Sequence, residues 1–167
     1  RRCRLSQGLA HLSVLQRFKL QYWDCTALAS VAGLGRGLSS LGTLRDLHLV
    51  LRRCGSVTDW QELWLGLANL ASLQTLRLNL ETNECLSSVP SLADALVQLY
   101  DLQVLDVNLA RCGLDNDDVT QLSRAVLALS STLQSFRLNL ASNLDLPPSL
   151  AQDHSSPSSF VSMAGTD

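Results

Sequence analysis

Aromatic side chains are scarce in this chain, with three Phe, three Trp and two Tyr among 167 residues, so its core is not built from rings. No apolar run approaches the ~18–20 residues of a membrane-crossing helix, and no charged-then-apolar leader of the secretory kind is visible. Charge of one sign is also missing. A net charge of −2 provides no bulk attraction to nucleic acid or to an anionic membrane. The three histidines, His11, His48 and His154, are scattered, and no Cys or His recurs at metal-ligand spacing. No Ser-His-Asp set assembles. Gly33-Leu-Gly35-Arg-Gly37 lacks both the full dinucleotide pattern and the Lys-Ser/Thr of a phosphate loop, and predicts only a helix weakened by glycine. These absences argue against an enzyme, a metal site, a cofactor, nucleic acid and membrane alike.

What is abundant is leucine, 38 of 167 residues, and it is periodic. The run Leu73-Gln-Thr-Leu-Arg-Leu-Asn-Leu80-Glu-Thr-Asn83 has five versions, beginning at Leu15, Leu44, Leu73, Leu102 and Leu133, at steps of 29, 29, 29 and 31 residues. With the first leucine as position 0, positions 3, 5 and 7 are apolar: Phe18/Leu20/Tyr22, Leu47/Leu49/Leu51, Leu76/Leu78/Leu80, Leu105/Val107/Leu109 and Phe136/Leu138/Leu140. Position 10 is Cys25, Cys54, Asn83, Cys112 and Asn143. A fixed period in the twenties implies stacked units, none of which buries its apolar face alone.

Each unit changes period midway. Alternation at positions 3, 5 and 7 predicts a strand with one buried face. The sets Val31/Leu34/Leu38/Leu41, Trp60/Leu63/Leu67/Leu70, Val89/Leu92/Leu96/Leu99 and Val119/Leu122/Val126/Leu129 step by 3, 4 and 3, the spacing of one helical face. Asp59 with Glu62 reads as a capping box, Asp115 to Asp118 as a helix start, and Pro90 as a first-turn residue. A strand that returns through a helix pairs in parallel with the next strand. Strands pack ~4.8 Å apart and helices ~8–10 Å apart, so such a stack curves with its strands inside. The predicted fold is therefore α/β: a solenoid or horseshoe, with a parallel sheet of five strands on the concave side and helices on the convex side. The strands are expected near 17–22, 46–51, 75–80, 104–109 and 135–140.

The repeat domain is predicted to span 1–146, with a partial repeat at 1–14 and full repeats starting at 15, 44, 73, 102 and 133. Leu5, Leu9 and Leu12 match the end of a repeat helix, which predicts an upstream unit and a longer parent protein. From 147 to 167 the chain is Ser-rich with scattered Pro and no periodicity, the composition of a disordered tail. Cys25, Cys54 and Cys112 share one slot of different repeats, which makes them small buried thiols suited to a reducing compartment, cytosolic or nuclear.

The motif L-x-x-L-x-L-x-L-x-x-[N/C], at 29 residues with a helical return, resembles the leucine-rich repeat family and most of all its ribonuclease-inhibitor class. The likeness covers about Leu5 to Leu146. It implies that the side chains of Cys25, Cys54, Asn83, Cys112 and Asn143 bond to backbone where each strand turns away, forming a structural ladder. It also implies protein binding, since members mostly bind other proteins and some regulate enzymes. One departure is the Leu-containing dipeptide at positions 6 and 7, which implies strands about two residues longer than usual.

Even strand positions point away from the core, so partner contacts are expected from Arg17, Lys19, Gln21, Trp23, His48, Arg52, Arg77, Asn79, Glu81, Asp106, Asn108, Arg137 and Asn139. Lys19, His48 and Arg77 fall on successive strands, where stacked like charges call for a counter-charge that an acidic protein partner would supply. The row Asn79/Asn108/Asn139 is open to a second explanation, amides bonded to one another along the stack. Trp23, near Arg17 and Arg52, has hot-spot composition, with packing against the unit before it as the competing reading. Trp60 is placed in the core and Trp64 on the convex flank, partly buried. The expected function is a protein-interaction module. A regulatory segment of a larger signalling protein, such as a small-GTPase activator or a ubiquitin-ligase substrate receptor, is the alternative.

Overall fold

The computed structural model describes residues 8, 9, 11–84, 86, 89–143 and the backbone of 160–164. Five strands, β1 (Arg17–Trp23), β2 (Asp46–Arg52), β3 (Thr75–Asn79), β4 (Val104–Asn108) and β5 (Ser135–Asn139), pair in parallel in chain order. Four helices connect them: α1 (Ala32–Leu38), α2 (Trp60–Ala68), α3 (Val89–Leu96) and α4 (Asn116–Ala128). The register is the sequence period. Phe18, Leu47, Leu76, Leu105 and Phe136 stand opposite one another, as do Lys19, His48, Arg77, Asp106 and Arg137. Each helix packs on the next helix in the chain, so the units meet only their neighbours.

A sixth strand, β6 (Phe160–Ala164), pairs antiparallel with β5, Asn139 opposite Phe160. It lies in the stretch predicted to be a disordered tail, where no periodicity announces it. The rest of that tail, like most of the partial repeat at 1–14, is outside the described residues.

One buried cluster joins the odd strand positions to the helices. Leu47, Leu49, Leu51, Leu76, Leu78 and Leu80 are all at most 2% exposed and pack with Leu34, Leu38, Leu63, Leu67, Leu92 and Leu96. The helices therefore cover the odd face of the sheet and leave the even face open. In β1, at the sheet's edge, Phe18, Leu20 and Tyr22 are only half-buried.

Helix packing depends on a column of small residues: Gly37, Gly66, Ala95 and Ala125, all buried. A methyl group on Gly35 would collide with the Glu62 carbonyl oxygen, and one on Gly66 with the Gly35 carbonyl oxygen. The glycines that weaken α1 thus let α1 and α2 touch backbone to backbone. Trp64 corrects the sequence-based placement: it is 1% exposed and stacks on Trp60, ring centroids 5.9 Å apart and planes inclined by 14°. In repeat register Trp64 stands between Gly35 and Ala93, whose small side chains leave room for its ring.

Asp59 corrects another expectation. It precedes α2 but forms no side-chain cap there. Its carboxylate instead accepts from the Ser30 hydroxyl and from the Val31 N–H (2.8 Å), at the start of α1 one unit earlier. Burial raises its pKa, but these bonds outweigh that and hold the carboxyl below its usual value. Asp115 and Asp118 do form the capping box of α4, each accepting the other's backbone N–H.

After each of β1 to β5 the chain turns through a left-handed residue at position 9: Asp24 (φ 52°), Arg53 (56°), Thr82 (60°), Arg111 (56°) and Ser142 (58°). None is glycine, at a cost of about 1 kcal/mol or more each. The turns of the first four units are tied by one repeated bond, from the position-9 N–H to the position-8 carbonyl of the next unit, at 2.9–3.1 Å. The turn delivers position 10 to the buried side. Asn83, 1% exposed, donates to the Leu51 and Leu80 carbonyls (2.7 and 2.6 Å) and accepts from the Cys54 N–H (2.8 Å). Asn143 likewise donates to Leu109 and Leu140 and accepts from Cys112 and Leu114. The thiol of Cys112 lies 3.1 Å from the Leu80 carbonyl, and burial pushes its pKa up to about 11.

Candidate binding face

The open face carries positions 2, 4, 6 and 8 of each strand. Two shallow grooves indent it. One crosses β2 to β5 and is lined by His48, Arg77, Asn79, Asp106, Asn108, Arg137 and Asn139. The other lies over β1 to β3 and is lined by Arg17, Phe18, Lys19, Asp46, His48 and Arg77. His48 and Arg77 belong to both. The structure thus gathers nine of the predicted contact residues. Gln21, Trp23, Arg52 and Glu81 stand apart, toward the ends of the strands. Asp46 was not among the predicted contacts, although its even position at the start of β2 carries the signal.

Charges on this face are largely paired within the sheet. Arg137 meets Asp106 at 3.3 Å, Arg77 meets Asp46 at 3.6 Å and Arg52 meets Glu81 at 3.0 Å. The counter-charge that the row Lys19, His48 and Arg77 was expected to need from a partner is therefore partly supplied by Asp46. Exposed pairs of this kind hold little energy, ~0–1 kcal/mol. Arg17 and Lys19 on β1 are exposed and have no carboxylate within bridging distance among the described residues. His48 sits between Lys19 and Arg77 in register. Burial first, then those two cations, lower its pKa below the ordinary 6.5, against weaker opposition from Asp46 and Asp106.

The asparagine row has a local role that neither sequence-level explanation included. Asn79, Asn108 and Asn139 each accept the N–H two residues on, from Glu81, Ala110 and Ala141, at 3.0–3.1 Å. They are not bonded to one another among the described residues, and all three line the groove. Trp23 is 63% exposed at the end of β1.

Among the described residues no group of three His, Cys, Asp or Glu side chains could hold a metal ion, and no helix is long and apolar enough to cross a membrane. Comparison with protein-family models, curated proteins and solved structures gives no match.

Proposed function

We propose that this chain is a leucine-rich-repeat solenoid of the ribonuclease-inhibitor-like class, and that it is a non-enzymatic module gripping a protein partner on a concave sheet. The observation that carries this is the groove across β2 to β5, in which four strands present charged and amide side chains in register. The repeated Asn and Cys bonds at position 10 support the family assignment. Five strands at ~4.8 Å and seven residues at ~3.3 Å give a face on the order of 550 Å², below the ~800 Å² per partner of a stable interface. Binding by this chain alone is then weak and salt-sensitive.

The test is capture of a partner from cell extract by three forms of the chain, followed by mass spectrometry. The double variant Arg77→Glu/Arg137→Glu should lose partners that wild type retains. Arg124→Glu, on exposed α4, should keep them. Loss in the α4 variant with retention in the double variant would put the interface on the helices.

A further inference from the structure

We propose that the β1–β3 end of the open face is a clasp for carboxylates, in which Lys19, His48 and Arg77 hold an acidic segment of the partner protein more tightly as pH falls. This rests on the reading of the open face as a protein-binding surface, and adds the partner's chemistry and its control.

The three side chains occupy one row of paired positions on adjacent strands, spaced ~4.8 Å apart. Arg17 adds a second cation on β1, in the same groove. The face is polarised as a result. At β4–β5, Arg137 and Asp106 cancel. At β1, two cations have no carboxylate within bridging distance among the described residues, and Arg77, 3.6 Å from Asp46, is still 45% exposed.

Like charges one strand apart repel, so this row is poised to shed one. Within the row it is the charge on the His48 imidazole that burial and the two neighbouring cations disfavour. The groups facing it are Lys19 on β1, Asp46 on its own strand, Arg77 on β3 and Asp106 beyond, and their balance together with burial favours neutral imidazole. A carboxylate laid over the row reverses the balance. It stabilises imidazolium, so binding takes up a proton and affinity rises as pH falls toward and below the ordinary histidine range.

Phosphate of a nucleic acid fits less well. A continuous polyanion crossing this face would meet Asp46, Glu81 and Asp106, all on even positions, and among the described residues the grooves offer bases to stack on no aromatic rings beyond half-buried Phe18 and the His48 imidazole. Spaced carboxylates on a peptide can avoid those three.

The experiment is fluorescence anisotropy of the whole chain at low salt with a labelled decapeptide of alternating Glu and Ser, its Lys/Ser counterpart, and a ten-nucleotide thymidine strand. At about pH 7.5 and about pH 5.5 the Glu peptide stays ionised. It should bind roughly tenfold tighter at the lower pH, and Lys19→Glu should abolish binding. His48→Gln should flatten the pH dependence, and His48→Lys should bind at the higher pH as wild type does at the lower. A tighter complex with the thymidine strand, or a pH dependence that survives His48→Gln, overturns the clasp. If the Glu peptide fails while Arg77→Glu/Arg137→Glu still loses the captured partner, the clasp is wrong and the open-face interface stands. If only Arg124→Glu loses it, the reading beneath both falls.

Discussion

β1 and β2 run seven residues each and stay paired as far as Trp23 and Arg52, whereas β3, β4 and β5 stop after five. The period is the same, so the difference has a local cause. Position 6 is Gln21 and Val50 in the longer strands and Asn79, Asn108 and Asn139 in the shorter ones. The asparagine oxygen reaches the N–H two residues on and removes it from the strand ladder. Valine has no acceptor, and glutamine is one methylene longer. Units stay in step regardless, because the Leu80 and Thr82 N–H groups still reach the Asn108 and Ala110 carbonyls. A short amide can therefore end a strand without shifting the register of a stack. The helices differ along the same divide: α1 and α2 meet through Gly35 and Gly66, while the small column continues as Ala95 and Ala125 in α3 and α4.

The largest effect that would sharpen this contrast is expected at position 10. Asn83→Leu leaves the Cys54 N–H and the Leu51 carbonyl without their buried partner and the Leu80 carbonyl with the Cys112 thiol alone, a loss of about 3–5 kcal/mol. Asn83→Cys should cost roughly half as much, since Cys25, Cys54 and Cys112 serve in that slot in three other units. Equal losses in chemical denaturation would mean that the slot has no polar role. Gly66→Ala comes next, at about 2–3 kcal/mol, because the added methyl meets α1 backbone that cannot rotate away. A midpoint shift no larger than that of Gly55→Ala, where a methyl meets nothing within 4 Å, would break the distinction between the helix pairs. The smallest effect concerns strand length. Asn108→Val should return the N–H of buried Ala110 to the strand ladder and so cost no more than about 1 kcal/mol, and Gln21→Val should stay within about 0.5 kcal/mol. Amide exchange at Ala110 decides the matter: unchanged protection would show that the asparagine does not end β4.

Periodicity made the backbone legible. Apolar alternation located all five parallel strands to within a residue, and the constant step gave their pairing, because register in such a sheet is fixed by which face must be buried. The sequence was less informative wherever the answer depends on the neighbouring unit. Asp59 looks like the cap of its own helix, yet its carboxylate serves the helix 28 residues earlier. Trp64 looks like a flank residue until Gly35 and Ala93 are seen to flank its column. Arg77 looks unpaired when a single row is considered, because Asp46 reaches it along a diagonal. The left-handed turns have no residue signature at all. Asp24, Arg53, Thr82, Arg111 and Ser142 share nothing except their place in the repeat, so the constraint is set by backbone geometry and by the bond to the next unit.

The tryptophans create one last asymmetry. Trp23 stands in solvent, Trp60 and Trp64 form a buried stacked pair, and the last three units contain none of the three. Tryptophan fluorescence, excited above the tyrosine band, therefore has no reporter beyond α2, while far-ultraviolet circular dichroism weighs all the strands and helices. Heating one sample under both probes reads the two ends of the stack separately without a label. The gap between the two melting curves is a direct measure of how strongly order is transmitted across the β2–β3 seam.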